Sequence, residues 1–159
     1  MLDNKWGVYA FFFILVSFIT VMGSILGGHA DSEWYQTLYK PGFTPPNFVF
    51  MVVWPILYVL LALAGARIYL SKREERKSAL NVWLAMLLAT GVYSYLFFKL
   101  ESPVLGFIDT LVSFLLGTIL LLKSFRIDKG AFYCLIPYVL WVSFAVVLSF
   151  MIMVHPMIA

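Results

Sequence analysis

The chain has 159 residues, 63% of them hydrophobic and only 12% charged, whereas a soluble domain carries roughly 25% charged residues. A globule of this size leaves too much surface in contact with solvent to hide such an excess, so part of that solvent must be lipid. The net charge of +3 does not indicate nucleic acid, because the basic residues sit in short gaps between apolar runs rather than on one polar face.

A spanning helix needs about 20 apolar residues to cross a hydrocarbon core about 30 Å thick, and five segments qualify. The first runs over 6–26. Lys5 and the small-x-small triplet Gly28-His29-Ala30 also give it a signal-peptide reading, but its length and the pairing pattern Gly23-xxx-Gly27 favour a retained span. A loop over 29–47 follows, and then a second span over 48–69, which ends before the charged run Lys72–Lys77. The third covers 80–98, the fourth 103–122 and the fifth 131–154. The expected fold is therefore all-α, a single domain of five transmembrane helices. These long runs lack the alternation of barrel strands.

Orientation follows from the positive-inside rule. One side holds Lys5, Arg67, Lys72, Arg73, Arg76, Lys77, Lys123, Arg126 and Lys129; the other holds Lys40 and Lys99. The N-terminus is expected in the cytoplasm, with the long loop and the C-terminus opposite.

That long loop reads Trp34-Tyr35-Gln36-Thr37-Leu38-Tyr39-Lys40-Pro41-Gly42-Phe43-Thr44-Pro45-Pro46. Aromatic residues collect at headgroup depth in many membrane proteins, which leaves the prolines unexplained. Proline fixes φ and restricts its predecessor, so the loop should be stiff. It reads as a lid over the mouth of the bundle, with Pro46 in the first turn of the next helix.

Trp34, Tyr35, Leu38, Lys40, Pro41, Phe43, Pro45 and Pro46 fit a W-Y-x-x-L-x-K-P-x-[FW]-x-P-P signature. With Val53 to Tyr58, Ala64 to Arg67, Asp109, and Pro137 to Trp141 followed by Phe144, Ala145 and Leu148, the chain resembles the translocator protein family. This family is also called tryptophan-rich sensory proteins or peripheral-type benzodiazepine receptors. The resemblance spans nearly the whole chain. It implies a dimer and a pocket for porphyrins or other tetrapyrroles, haem included, and for sterols and benzodiazepine-type drugs. It also implies an alternative activity, light-driven porphyrin breakdown with Trp54 and Trp141 as redox partners. The chain departs from the family where Met86, Thr90 and Tyr93 stand for polar amides and a Trp, and where Ser149 stands for Asn. The sterol-recognition pattern is absent, since Phe150 is followed by Met151-Ile152-Met153-Val154-His155, and sterol is demoted accordingly.

By helical rise, Trp54 lies about 12 Å below Pro46, Asp109 about 9 Å below Pro103, and Trp141 about 20 Å from the outer end of its helix. Trp54 and Tyr58 share a face, as do Tyr138 and Trp141. Aromatic faces stack on flat conjugated molecules. The expected ligand contacts are Trp34, Tyr35, Pro45, Trp54, Tyr58, Met86, Thr90, Tyr93, Asp109, Tyr138, Trp141, Phe144 and Ala145. An acid inside a span costs roughly 2.5–3.5 kcal/mol on insertion scales, which turns Asp109 toward the bundle interior, onto a ligand or a structural hydrogen bond. Packing alone also accounts for each aromatic taken singly.

Neither His29 nor His155 has partners at metal-ligand spacing, so no resident metal or other cofactor is expected. Cys134 reads as a buried thiol. Hydrolytic or phosphoryl chemistry lacks a nucleophile–base pair or phosphate loop. A small-solute carrier is a further reading, against which stands the lack of an internal repeat. Gly23-xxx-Gly27 and Ala85-xxx-Ala89 are candidate helix-pairing patterns, with the third helix as the expected dimer seam.

Overall fold

A computed structural model of the chain describes residues 4–28 and 32–155. The helices are α1 (Lys5–Leu26), α2 (Glu33–Thr37), α3 (Asn47–Leu70), α4 (Arg76–Ser94), α5 (Pro103–Ile127) and α6 (Lys129–Val154), and a π segment, Tyr95–Lys99, extends α4. Counting α4 with its extension, five are long and apolar enough to cross a membrane. The 24 residues of α3 reach about 36 Å, enough for the hydrocarbon and part of the headgroup layer.

Three of the spanning helices, α1, α5 and α6, begin where a polar side chain satisfies one of their first backbone N–H groups. The Asn4 side chain accepts from the Trp6 N–H at 3.0 Å, Ser102 Oγ from Leu105 at 3.3 Å, and Asp128 Oδ1 from Ala131 at 2.7 Å. Pro46 caps α3 in an extended conformation, one residue before the helix rather than inside its first turn. Two helices outrun the apolar stretches that announced them. The fourth span continues from Leu122 to Ile127, and the third begins at Arg76. Hydropathy marks where lipid ends, but a helix goes on into headgroup water when its charges point outward. Arg126 is exposed while Ser124 and Ile127 are buried.

The five long helices close into a ring in the order α1, α3, α6, α5, α4 and back to α1. One end carries the basic loops and the other carries α2. In the half next to the basic loops, small residues let the helices meet. Ala62, Ala64 and Ala66 are fully buried, and a Cβ on Gly65 would run into the rings of Phe12 and Trp83. Those rings stand edge to face at 5.0 Å, and Trp83 Nε1 donates to the Leu61 carbonyl at 2.9 Å. At the rim, Arg67 grips Asp128 through Nε at 2.7 Å and Nη2 at 3.3 Å. Burial alone would raise the Asp128 carboxyl, but the Arg67 hydrogen bond and the Ala131 N–H outweigh it and hold the group below its ordinary value.

α1 changes partner along its length. Near the basic end Phe12 packs toward α3, against Tyr69 at 5.9 Å. Toward the other end it crosses α4, where a Cβ on Gly23 would strike the Gly91 carbonyl, one on Gly27 would strike Ser94, and one on Gly28 would strike Phe98. The Gly23-xxx-Gly27 pattern is thus used inside one chain, whereas Ala85 is exposed on the outer face of α4.

Candidate functional site

The half of the bundle beneath α2 is hollow. Its cavity measures about 600 Å³ and is lined by all five long helices and by Tyr35 of α2, within the 300–1,000 Å³ range of small-molecule sites.

α2 is a short capped turn, with Ser32 Oγ accepting from the Tyr35 N–H at 3.2 Å. Its Tyr35 and Leu38 are buried against Phe97, Leu148 and Ile152. Lys40 ties the turn to the loop that follows: Nζ donates to the Tyr35 carbonyl at 2.9 Å and lies 4.5 Å from the Tyr35 ring centroid. Burial in this cluster pushes the Tyr35 hydroxyl above its ordinary value. Thr44 closes a turn on the Pro41 carbonyl through both its N–H and its hydroxyl, at 2.9 and 2.7 Å.

The π segment provides the surface on which α2 rests. Its wide turn bonds the Leu100 N–H to the Tyr95 carbonyl and the Ser102 N–H to the Phe97 carbonyl, so an extra residue is accommodated without breaking the helix. Phe97 and Phe98 consequently both reach Tyr35, at 6.1 and 5.4 Å. Phe97 also stacks on Tyr93 at 5.5 Å and 11°.

The floor is a hydrogen bond across the ring. Tyr138 of α6 and Thr90 of α4 join hydroxyls at 2.7 Å. Gly117 of α5 leaves the passage for the Tyr138 ring, since a Cβ there would stand 3.0 Å from Cε1. Below this bridge the packed half begins.

One wall is aromatic. Trp54 and Tyr58 stack at 5.5 Å on α3, and Phe50, one turn above Trp54, meets Trp141 of α6 edge to face at 5.5 Å. The facing wall, on α5, carries Asp109, Thr110 and Ser113. The lining also includes Val21 of α1 and Met51 of α3, both exposed on the outside of the bundle, so the cavity reaches the outer surface along the seam between those helices.

Of the expected contacts, Tyr35, Trp54, Tyr58, Thr90, Tyr93, Asp109, Tyr138, Trp141 and Ala145 line this cavity, while Trp34, Pro45, Met86 and Phe144 do not. Trp34 lies behind the rim, edge to face with Phe97 at 5.4 Å. Met86 is fully buried below the floor, where its carbonyl accepts from Thr90. Phe144 is wedged between Phe43 and Trp141, and Pro45 stays in the loop leading to α3. Sequence reasoning passed over Phe50, Phe97, Thr110 and Ser113. Ser113, one turn beyond Asp109 on the same face of an otherwise apolar span, was a signal available from spacing alone. His155 packs its ring against Tyr39 at 5.0 Å, and His29 falls outside the described residues. Among those residues no group of three or more His, Cys, Asp or Glu could hold a metal ion.

Comparison with known proteins places this arrangement among relatives. Residues 11–155 match the model of the TspO/MBR family. Tryptophan-rich protein TspO of Chlorobaculum tepidum is 32% identical over 133 residues, covering 82% of this chain and 84% of the relative. Tryptophan-rich sensory protein of Cereibacter sphaeroides is 27% identical over 94% and 91% of the two chains. Translocator protein of Ovis aries is 24% identical over 74% and 72%.

Proposed function

Since this chain belongs to the TspO/MBR family and is an integral, multi-pass membrane protein, we propose that it binds flat, hydrophobic ligands, tetrapyrroles foremost, in the cavity beneath α2. The observation that carries this reading is a hollow of about 600 Å³ with a continuous aromatic wall, Phe50, Trp54, Tyr58 and Trp141, beyond the core packed around Trp83. Rings held face-on to an apolar space gain dispersion and offset-stacking contacts with a conjugated plane. The lid restricts water, and the opening between α1 and α3 faces the solvent in which such molecules dissolve. Relatives named for sensing and for translocation support a role in which binding is read out or passed on.

The test is quenching of tryptophan fluorescence by protoporphyrin in detergent-purified protein. Trp54→Ala and Trp141→Ala should each weaken binding by about tenfold, the loss of roughly 1.4 kcal/mol of stacking and burial. Unchanged affinity in both variants would remove the aromatic wall from the site.

A further inference from the structure

The wall opposite the stacked rings has a different chemistry. Asp109 and Ser113 stand four residues apart on α5, on one helical face, and are 7% and 4% exposed. Both border the cavity, yet Asp109 Oδ2 has no hydrogen-bond partner among the described residues. The neighbouring hydroxyls are engaged elsewhere. Thr110 donates to the Gly106 carbonyl at 2.7 Å, and the Tyr138 hydroxyl is held by Thr90. Among the described residues of this lining Asp109 is the only one with an acidic or basic side chain.

A buried carboxyl oxygen without a donor is unfavourable in a low-dielectric interior, and a ligand that brings the donor relieves it. The best complement is a protonated nitrogen, because charge-assisted hydrogen bonds are shorter and stronger than neutral ones. A carboxylate at the same depth would instead bring only further acceptors to an oxygen that already lacks a donor. We infer that Asp109 makes the cavity selective for flat aromatic ligands that present a cationic or N–H-donating nitrogen to α5, and against those that present an acid there. This rests on the reading of the cavity as an aromatic-ligand site. A tetrapyrrole bound this way would lay one face on the α3 rings and the other toward Asp109, to which a protonated, saddled core would tilt its N–H groups out of plane. Its acidic arms would point to the lid end, where Lys40 and Lys99 lie.

Three probes of one shape separate the two readings: 9-aminoacridine, anthracene and anthracene-9-carboxylate, titrated by tryptophan quenching onto the full chain in an uncharged detergent. The unmodified protein should bind 9-aminoacridine about tenfold more tightly than anthracene, and anthracene more tightly than the carboxylate. Asp109→Asn should bring all three within about threefold of one another. Asp109→Glu should restore the preference for the cation. Persistence of the full preference in Asp109→Asn would overturn the role of Asp109 while leaving the aromatic site standing. Anthracene binding that ignores Trp54→Ala would remove the aromatic site itself, and the selectivity with it.

Discussion

The two halves of this bundle are made from the same five helices, and one is filled while the other is hollow. Beside the basic loops, Ala62, Ala64, Gly65 and Ala66 face inward on α3, and the helices close on Phe12 and Trp83. Beneath α2, the same helix turns Phe50, Trp54 and Tyr58 inward, and rings of that size hold the walls apart. The alternation of small and large residues along a single helix therefore sets where the interior is solid. In the packed half Trp83 buries its N–H on a carbonyl; in the hollow half the N–H of Trp141 is without a partner among the described residues. An indole is a structural peg in one setting and a waiting donor in the other.

If that contrast is right, substitutions should separate stability from binding. The largest effect is expected for Trp83→Ala, which empties the packed half and strips the Leu61 carbonyl of its donor. Stability should fall by about 3–5 kcal/mol, whereas Trp54→Ala in the hollow half should lose roughly 1 kcal/mol. Thermal unfolding in detergent measures both, and equal losses would erase the distinction. Next comes Gly65→Leu, whose side chain overlaps Phe12 and Trp83. Overpacking of about 1–3 kcal/mol is expected, with ligand affinity in the other half preserved.

At the rim of the packed half, Asp128→Ala removes both a helix cap and the partner of Arg67, for a loss of about 1–2 kcal/mol near neutral pH. The Asp128 carboxyl lies below its ordinary value in the folded chain, so its contribution is complete above the unfolded value. It fades as pH falls through the folded one. The gap between the two proteins should narrow on acidification, and a gap that widened would contradict the assignment. The smallest effect belongs to the lid. Lys40→Gln gives up a cation–π contact of about 0.5–1 kcal/mol, and stopped-flow measurement should register it as faster ligand release more than as lower stability.

Much of this was legible in the residues themselves. The five spans follow from hydropathy, and helical periodicity puts Trp54 with Tyr58 and Tyr138 with Trp141 on shared faces; that those faces turn inward was implied by the family resemblance. Three things were not. The π segment depends on backbone hydrogen bonding rather than on any composition, so the double contact of Phe97 and Phe98 with Tyr35 could not be read from Tyr95–Lys99. Met86 shares the inward side of α4 with Thr90, and periodicity alone does not reveal that the floor lies between them. The pairing of Gly23 with Gly91 requires knowing which helices are neighbours, and the order of helices around the ring is not the order in the chain.

That pairing gives α1 a mechanical office. It is fastened to α3 near one end and to α4 near the other, so it runs obliquely across the frame like a diagonal brace. A frame so braced resists shear, and the walls around the bay keep their spacing.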